Sequence, residues 1–397
     1  MSKFLASKSD KHLHKWGFKD SGFKSIGDKV VKFSGDRYEV SGTEMPDFIP
    51  YIEKMLDIKI EDNDKLKEVD KKFVSPSKVD KKFYQELEKA FENDKFTIEN
   101  TERLIHSHGQ ETFKDIYKVL YKSIDRLVDL VFYPESEEDV KKIIELALKF
   151  NVCLIPYGGG TNVTRALSVP ENEKRTVVSI DTRRLSKIEW INKEDRRVCV
   201  EAGITGKNLD ELLKKEGFMI GHEPDSVELS TIGGWIATNA SGMKKNKYGN
   251  IEDIVENVHL VTPKGEINQI KPISRGSIGF KPQNMLFGSE GNLGIITKAI
   301  LKIHERPEAQ EYNSVLFKSW SEGVTFLKKL SKTNYIPASV RLVDNIQFRF
   351  GQALKPRAEG LKKIKSKIEK FLVTNIKGFD PDKMCALTIV MEGTEEE

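Results

Sequence analysis

Val152-Cys153-Leu154-Ile155-Pro156-Tyr157-Gly158-Gly159-Gly160-Thr161-Asn162 is the stretch that decides the fold. Val152 to Ile155 are apolar throughout, the pattern of a strand buried on both faces. Three consecutive glycines stand at its end. They permit positive φ and remove every Cβ, so successive N–H groups can converge on one anion. Thr161 and Asn162 add side-chain donors. A tight turn needs one glycine and rarely three, which favours phosphate binding. The run is neither a Walker loop, which would continue Gly-Lys-Ser/Thr, nor Gly-x-Gly-x-x-Gly.

Upstream, Leu127 to Tyr133 is a short apolar run ended by Pro134, as a buried strand would be. Ser136 stands three residues before Asp139, a helix start, and Val140, Ile143, Ile144, Ala147 and Leu148 follow at helical spacing. Strand, helix and strand in about thirty residues make a βαβ unit. Downstream, Thr176–Ile180, Arg197–Glu201, Ile254–Val261 and Ile295–Ile303 read as strands, with a turn at Pro263-Lys264-Gly265. Asn208–Lys215 reads as an amphipathic helix stopped by Gly217.

Two further segments share the character of the first. In Asp225-Ser226-Val227-Glu228-Leu229-Ser230-Thr231-Ile232-Gly233-Gly234, Ser230 or Thr231 can cap a helix whose bare N–H groups suit a pyrophosphate. Small residues follow it from Ala237 to Gly242, Thr238, Asn239, Ala240 and Ser241 among them, and permit close approach of a flat ring; packing between helices is the competing account. In Gly288-Ser289-Glu290-Gly291-Asn292-Leu293-Gly294, glycines recur every third residue before a strand. Three such segments over about 140 residues, each beside sheet, point to one extended phosphate-bearing cofactor. FAD fits that length better than a mononucleotide.

The rest of the chain bounds the answer. Its 397 residues suffice for two or three domains, and the net charge of +4 is too small for a nucleic-acid wrapper. No apolar run is long enough to span a membrane, and Met1 to Leu5 lack a secretory core. The cysteines, Cys153, Cys199 and Cys385, form no metal or disulfide pattern; Cys153 and Cys199 read as core residues. His12/His14 and His106/His108 have no third ligand nearby, so no metal is expected. Residues 1–125 read as a mostly helical, peripheral region with an exposed connection over 57–82. Residues 126–306 read as the cofactor-binding domain and 307–397 as the start of a further domain. That last part holds helices near Val324–Leu330 and Leu361–Leu372, the second with a solvated lysine face. The strand-like run before Gly393-Thr394-Glu395 suggests a truncated chain. Lys3, Lys8, Lys11 and Lys15 beside Phe4, Leu5 and Trp16 raise a peripheral membrane-surface reading, against which solvated lysines are the plainer account.

Pro156–Asn162, Pro224–Gly242, Tyr248-Gly249-Asn250-Ile251-Glu252-Asp253 and Gly288–Gly294 resemble the FAD-binding domain of the vanillyl-alcohol-oxidase type. Gly221-His222-Glu223-Pro224-Asp225-Ser226, Gly242-Met243-Lys244-Lys245-Asn246, Pro337–Asn345 and Gly378–Pro381 resemble the alkyldihydroxyacetonephosphate synthase family more specifically. Trp16–Ser21 and Arg37–Gly42 fit it too. The resemblance implies an α+β fold: a two-subdomain FAD-binding domain of the PCMH type, an N-terminal helical region and the first part of an α+β cap. It implies an enzyme of ether-lipid synthesis that replaces the acyl chain of acyl-dihydroxyacetone phosphate with a long-chain fatty alcohol. There FAD holds the substrate carbon without net redox. It also implies a homodimer and peroxisomal residence. Arg275 matches a functionally important arginine of the family, although Ile273–Gly279 departs from the usual pattern. The family's substrate-binding arginine, catalytic tyrosine and histidine run have no counterpart before Glu397, so a chain inactive alone is expected. Pro156–Leu167 holds no His or Cys for a flavin link, so FAD is expected to be non-covalent. The alternatives are an FAD-linked 2-hydroxy-acid dehydrogenase and a non-catalytic FAD-binding fragment that pairs with a full-length subunit.

Overall fold

The computed structural model describes residues 11–12, 17–61, 74–109, 112–121, 124–268, 277, 279, 281–356, 368 and 371–396. The chain forms two compact units, one of residues 1–16 and 68–306, the other of residues 17–67 and 307–397.

The first unit holds two main sheets. A four-stranded sheet runs Phe96–Thr97, Leu130–Phe132, Val177–Asp181, Cys153–Tyr157 in spatial order, with the last three strands parallel. The strand–helix–strand unit is present, but Val177–Asp181 lies between its two strands. Cys153–Tyr157 is therefore an edge strand. Its first four residues are half-buried rather than covered on both faces, and Cys153 with them. The helix Glu137–Phe150 begins where Ser136 Oγ accepts from Asp139 N at 3.1 Å, and it ends in the left-handed Asn151. It buries Val140, Ile143, Ile144 and Ala147.

The second sheet is antiparallel, in the order Gly265–Ile267, Val255–Thr262, Ile295–Lys302, Arg197–Glu201, Ile188–Asn192. Its core packs the helices Gly206–Lys215 and Ile232–Thr238, through Leu209, Leu213, Trp235 and Ile236, against Val198, Val200, Ala299 and Leu301. Cys199 is buried there.

The second unit joins an early segment to a late one. A small antiparallel sheet of Gly22–Ser25, Val31–Ser34 and Glu44–Met45 leads into the helix Phe48–Leu56. That helix meets Asn345–Ala353: Tyr51 Oη donates to the Ile346 carbonyl at 2.9 Å, and the Phe48 and Phe350 rings lie 6.0 Å apart. Cys385–Gly393 is the central strand of a second antiparallel sheet, between Ala309–Phe317 and Ser339–Val343.

This partition has a boundary between 306 and 307, as expected, and none at 125. Residues 17–61 are neither mostly helical nor part of one N-terminal region, because their apolar side chains find partners about 300 residues later. The helix Lys81–Ala90 is not peripheral. Phe83 and Leu87 are fully buried against the Glu137–Phe150 helix and the four-stranded sheet. The Val324–Leu330 helix is observed as Trp320–Leu330. Most of the expected Leu361–Leu372 helix lies outside the described residues. Among the described residues no helix is long and apolar enough to cross a membrane.

Candidate functional site

The three glycine-rich segments meet at the carboxyl end of the Cys153–Tyr157 strand, around a cavity of about 360 Å³. That size is usual for a small-molecule site. The glycines explain how closely they approach. A Cβ on Gly159 would fall 2.2 Å from the Leu229 carbonyl, and one on Gly158 would fall 2.4 Å from Thr231 Oγ1. Gly291, at φ +82°, lies against the Pro156 ring. The third loop also docks on the second segment, since Glu290 N donates to the Ala237 carbonyl at 2.8 Å. The glycines thus bring backbone to backbone as well as leaving room for a ligand.

Of the residues expected at the cofactor, Pro156, Tyr157, Gly158, Gly159, Gly160, Thr161, Asn162, Asp225, Ser230, Thr231, Thr238, Ala240, Ser241, Ser289, Glu290, Gly291 and Gly294 line the cavity. Eight do not. Ser226 adopts φ +60° and starts a turn whose Leu229 and Ser230 N–H groups return to its carbonyl. That turn carries Val227, Glu228 and Leu229 away from the cavity, Val227 onto the apolar core and Leu229 into burial. Asn239 is the left-handed cap ending the Ile232–Thr238 helix. Gly288 N is spent on the Ile236 carbonyl, Asn292 Nδ2 on the Ser289 carbonyl, and Leu293 faces a groove behind the third loop. Arg275 lies outside the described residues.

The structure also overturns one expected source of anion binding. The N-terminus of the Ile232–Thr238 helix has no bare N–H groups to offer in its first turn. Ile232 N donates to the Ile204 carbonyl, Gly233 N to Ala202 and Gly234 N to the capping Thr231 Oγ1. The first loop differs. Among the described residues, the N–H groups of Gly159, Gly160, Thr161 and Asn162 donate to no protein acceptor. Consecutive unspent donors in a concave wall are what a phosphate requires. The residues present therefore fit a dinucleotide at this loop, held by main chain rather than by a helix end.

Beneath the loop is a closed polar network. Tyr157, buried, pairs in register with Asp181 across the parallel strands. Burial pushes the Asp181 carboxyl up, but the Arg183 guanidinium and a hydrogen bond with His106 outweigh it and hold it well below the usual carboxylate range. Burial holds the Tyr157 hydroxyl above the usual phenol range, so it stays protonated. Tyr133 Oη donates to Glu102 Oε2 at 2.9 Å, and burial raises its pKa as well. His106 is thus absorbed into the network, and His108 is buried beside it. His14 lies outside the described residues; among those described, no group of three metal-binding side chains occurs.

Val163, Thr164, Ala166, Leu167, Thr182, Ile295 and Ile296 also line the cavity and are not among the expected cofactor residues, and so do Pro224, Gly233, Gly234, Trp235 and Ala237, which lie within the second segment but are not singled out as contacts by the sequence. A signal existed for Thr182, the first residue beyond the strand next to Cys153–Tyr157, since ligands gather at the carboxyl ends of parallel strands. Trp235 needs the tertiary fold: its Nε1 donates to Ser230 Oγ at 2.8 Å, and its ring fills the space left by Gly206. Behind it His222 is buried, with its ring 5.0 Å from Trp235 and, among the described residues, no hydrogen-bond partner on either nitrogen. Burial pushes its imidazole down to about 4.

Residues 128–271 match the family model described as FAD binding domain, and residues 306–397 match FAD linked oxidases, C-terminal domain. The chain is 43% identical over 392 residues to alkyldihydroxyacetonephosphate synthase of Caenorhabditis elegans, covering 96% of this chain and 64% of that protein. It is 33% identical to alkyldihydroxyacetonephosphate synthase of Dictyostelium discoideum, covering 90% of this chain and 59% of that one. The chain thus spans less than two thirds of these relatives' length. A solved alkyldihydroxyacetonephosphate synthase structure superposes with a TM-score of 0.85 at 31% identity, covering 98% of this chain and 69% of the other. On these likenesses the chain carries an FAD-binding domain and belongs to the alkyldihydroxyacetonephosphate synthase family.

Proposed function

We propose that this protein works in ether-lipid synthesis as an alkylglycerone-phosphate synthase. In this reading a long-chain fatty alcohol replaces the acyl chain of acyl-dihydroxyacetone phosphate, and a fatty acid leaves. The observation that carries it is the convergence of three glycine-rich segments on one cavity, in a chain 43% identical to a synthase. Gly159, Gly160, Thr161 and Asn162 would hold the FAD pyrophosphate through their N–H groups, while Thr238, Ala240 and Ser241 would border the flat ring. Bound FAD supplies an electron sink beside the substrate carbon, with no net redox. Among the described residues neither His nor Cys lines the cavity, and the reading takes the flavin to be bound without a covalent link. Homodimer formation and peroxisomal residence belong to the same reading and rest on the family; peripheral membrane contact rests instead on the N-terminal lysines beside Phe4, Leu5 and Trp16, of which Lys11 is buried.

The test is turnover by the FAD-loaded chain given acyl-dihydroxyacetone phosphate and a radiolabelled long-chain alcohol. The reading expects label in an alkali-stable ether, with one fatty acid released per ether formed, once the family's catalytic tyrosine and histidines are supplied with the chain; ether made by this chain by itself would overturn the expectation that it is inactive alone. Reduction of a dye by lactate or glycolate, without ether, would replace it with a 2-hydroxy-acid dehydrogenase.

A further inference from the structure

Lys11 reads in the sequence as one solvated lysine among several. In the structure it is 1% exposed. Its Nζ donates to the Gly159 carbonyl and to Tyr157 Oη, the latter at 3.2 Å, and lies 5.1 Å from the centre of the Tyr157 ring. Lys11 is not part of the cavity wall, so it grips the first glycine loop from behind.

The peptide joining Gly159 to Gly160 is planar and trans, so its C=O and its N–H point in opposite directions. Fixing the Gly159 carbonyl on the Lys11 side therefore aims the Gly160 N–H the other way. Between two glycines no Cβ restricts rotation of that peptide plane, so a fixed carbonyl has more to set there than between other residues. A cation on the carbonyl also polarises the amide and strengthens its N–H as a donor to an anion.

We infer that Lys11 is a positioning residue for the dinucleotide: its ammonium locks the Gly159–Gly160 peptide so that the Gly160 N–H faces the phosphates of the ligand. The inference rests on the FAD reading of the cavity and adds to it a residue nearly 150 positions away in sequence. Lys11 acts through the loop and leaves the isoalloxazine untouched. Its effect is accordingly confined to ligands that carry phosphate.

The experiment measures FAD and riboflavin affinities by flavin fluorescence quenching for the full chain and for Lys11→Met and Lys11→Arg. Methionine fills nearly the same volume without a donor. The expected result is FAD binding weakened about tenfold or more in Lys11→Met, the scale of a lost charge-assisted hydrogen bond. Riboflavin affinity is expected to be unchanged and Lys11→Arg to recover part of the loss. Equal FAD affinity in the wild type and Lys11→Met overturns the inference. So does equal weakening of FAD and riboflavin, which marks general damage to the fold. Failure of the wild type to bind FAD at all counts against the cofactor reading itself and is recognised before any variant is compared. Melting of the apo proteins by circular dichroism confirms that Lys11→Met is folded at the assay temperature.

Discussion

His106 Nε2 lies 2.9 Å from Asp181 Oδ2, and neither side chain is exposed to solvent. His106 Nδ1 is 2.7 Å from the Glu102 carbonyl, and Arg183 Nε is 3.0 Å from Asp181 Oδ1. A single carboxylate thus ties the segment after the Asn100–Ile105 helix to the strand beside the glycine loop.

Asp181→Asn is therefore expected to be strongly destabilising. It removes the anion from the buried His106 and the half-buried Arg183, a change that costs about 3–5 kcal/mol. The Asp181 pKa is depressed in the folded state, so its contribution is complete above the unfolded value near 4 and is lost as pH falls below that. Urea unfolding at pH 7 should show the loss. A midpoint equal to wild type would contradict the network's role.

His222 gives the opposite case, a group buried neutral. Its folded value of about 4 lies below the 6.5 of an unfolded histidine, so the unfolded chain takes up the proton first. Stability should fall as pH drops from 6.5 towards 4, by about 2 kcal/mol at pH 5 from this residue alone. Comparing wild type with His222→Phe at pH 7 and pH 5 isolates it. Identical pH dependence in the two would refute the assignment.

Gly159→Ala should separate the first and second segments, since its Cβ has no room beside the Leu229 carbonyl. The expected outcome is a folded but flavin-free protein on purification, with the absorbance near 450 nm missing. Normal flavin content would show that the backbone approach is not needed.

Phe83→Ala tests the placement of the early helix in the core. Phe83 is fully buried, with its ring 6.2 Å from that of Phe150. Its truncation should cost about 3–5 kcal/mol. A cost below 1 kcal/mol would return this helix to the periphery, where the sequence pattern had put it.

The strand, helix and strand around Val152 are legible because local pattern and tertiary burial agree there. The cavity is partly legible for the same reason: Pro156–Asn162 is contiguous and lines it without a gap. Ser226–Leu229 is not legible, because a left-handed Ser226 turns the chain away and no residue type announces that. The spent N–H groups of Ile232 and Gly233 depend on carbonyls of Ala202 and Ile204, about thirty residues earlier, which no local window contains. Lys11 is hidden by composition, since one buried lysine looks like any other in a lysine-rich segment. The pairing of 17–61 with 307–396 is invisible for a related reason: neither part has a full core of its own, and each reads as a surface element until the other is supplied.

The central claim is that main-chain donors of the Gly158–Asn162 loop hold one FAD without a covalent link. Flavin stoichiometry tests it most directly, by absorbance of the purified, FAD-reconstituted chain before and after acid precipitation. The account predicts about one flavin per chain, all of it released into the supernatant. Protein that stays colourless in excess FAD, or flavin that remains with the precipitate, would contradict it.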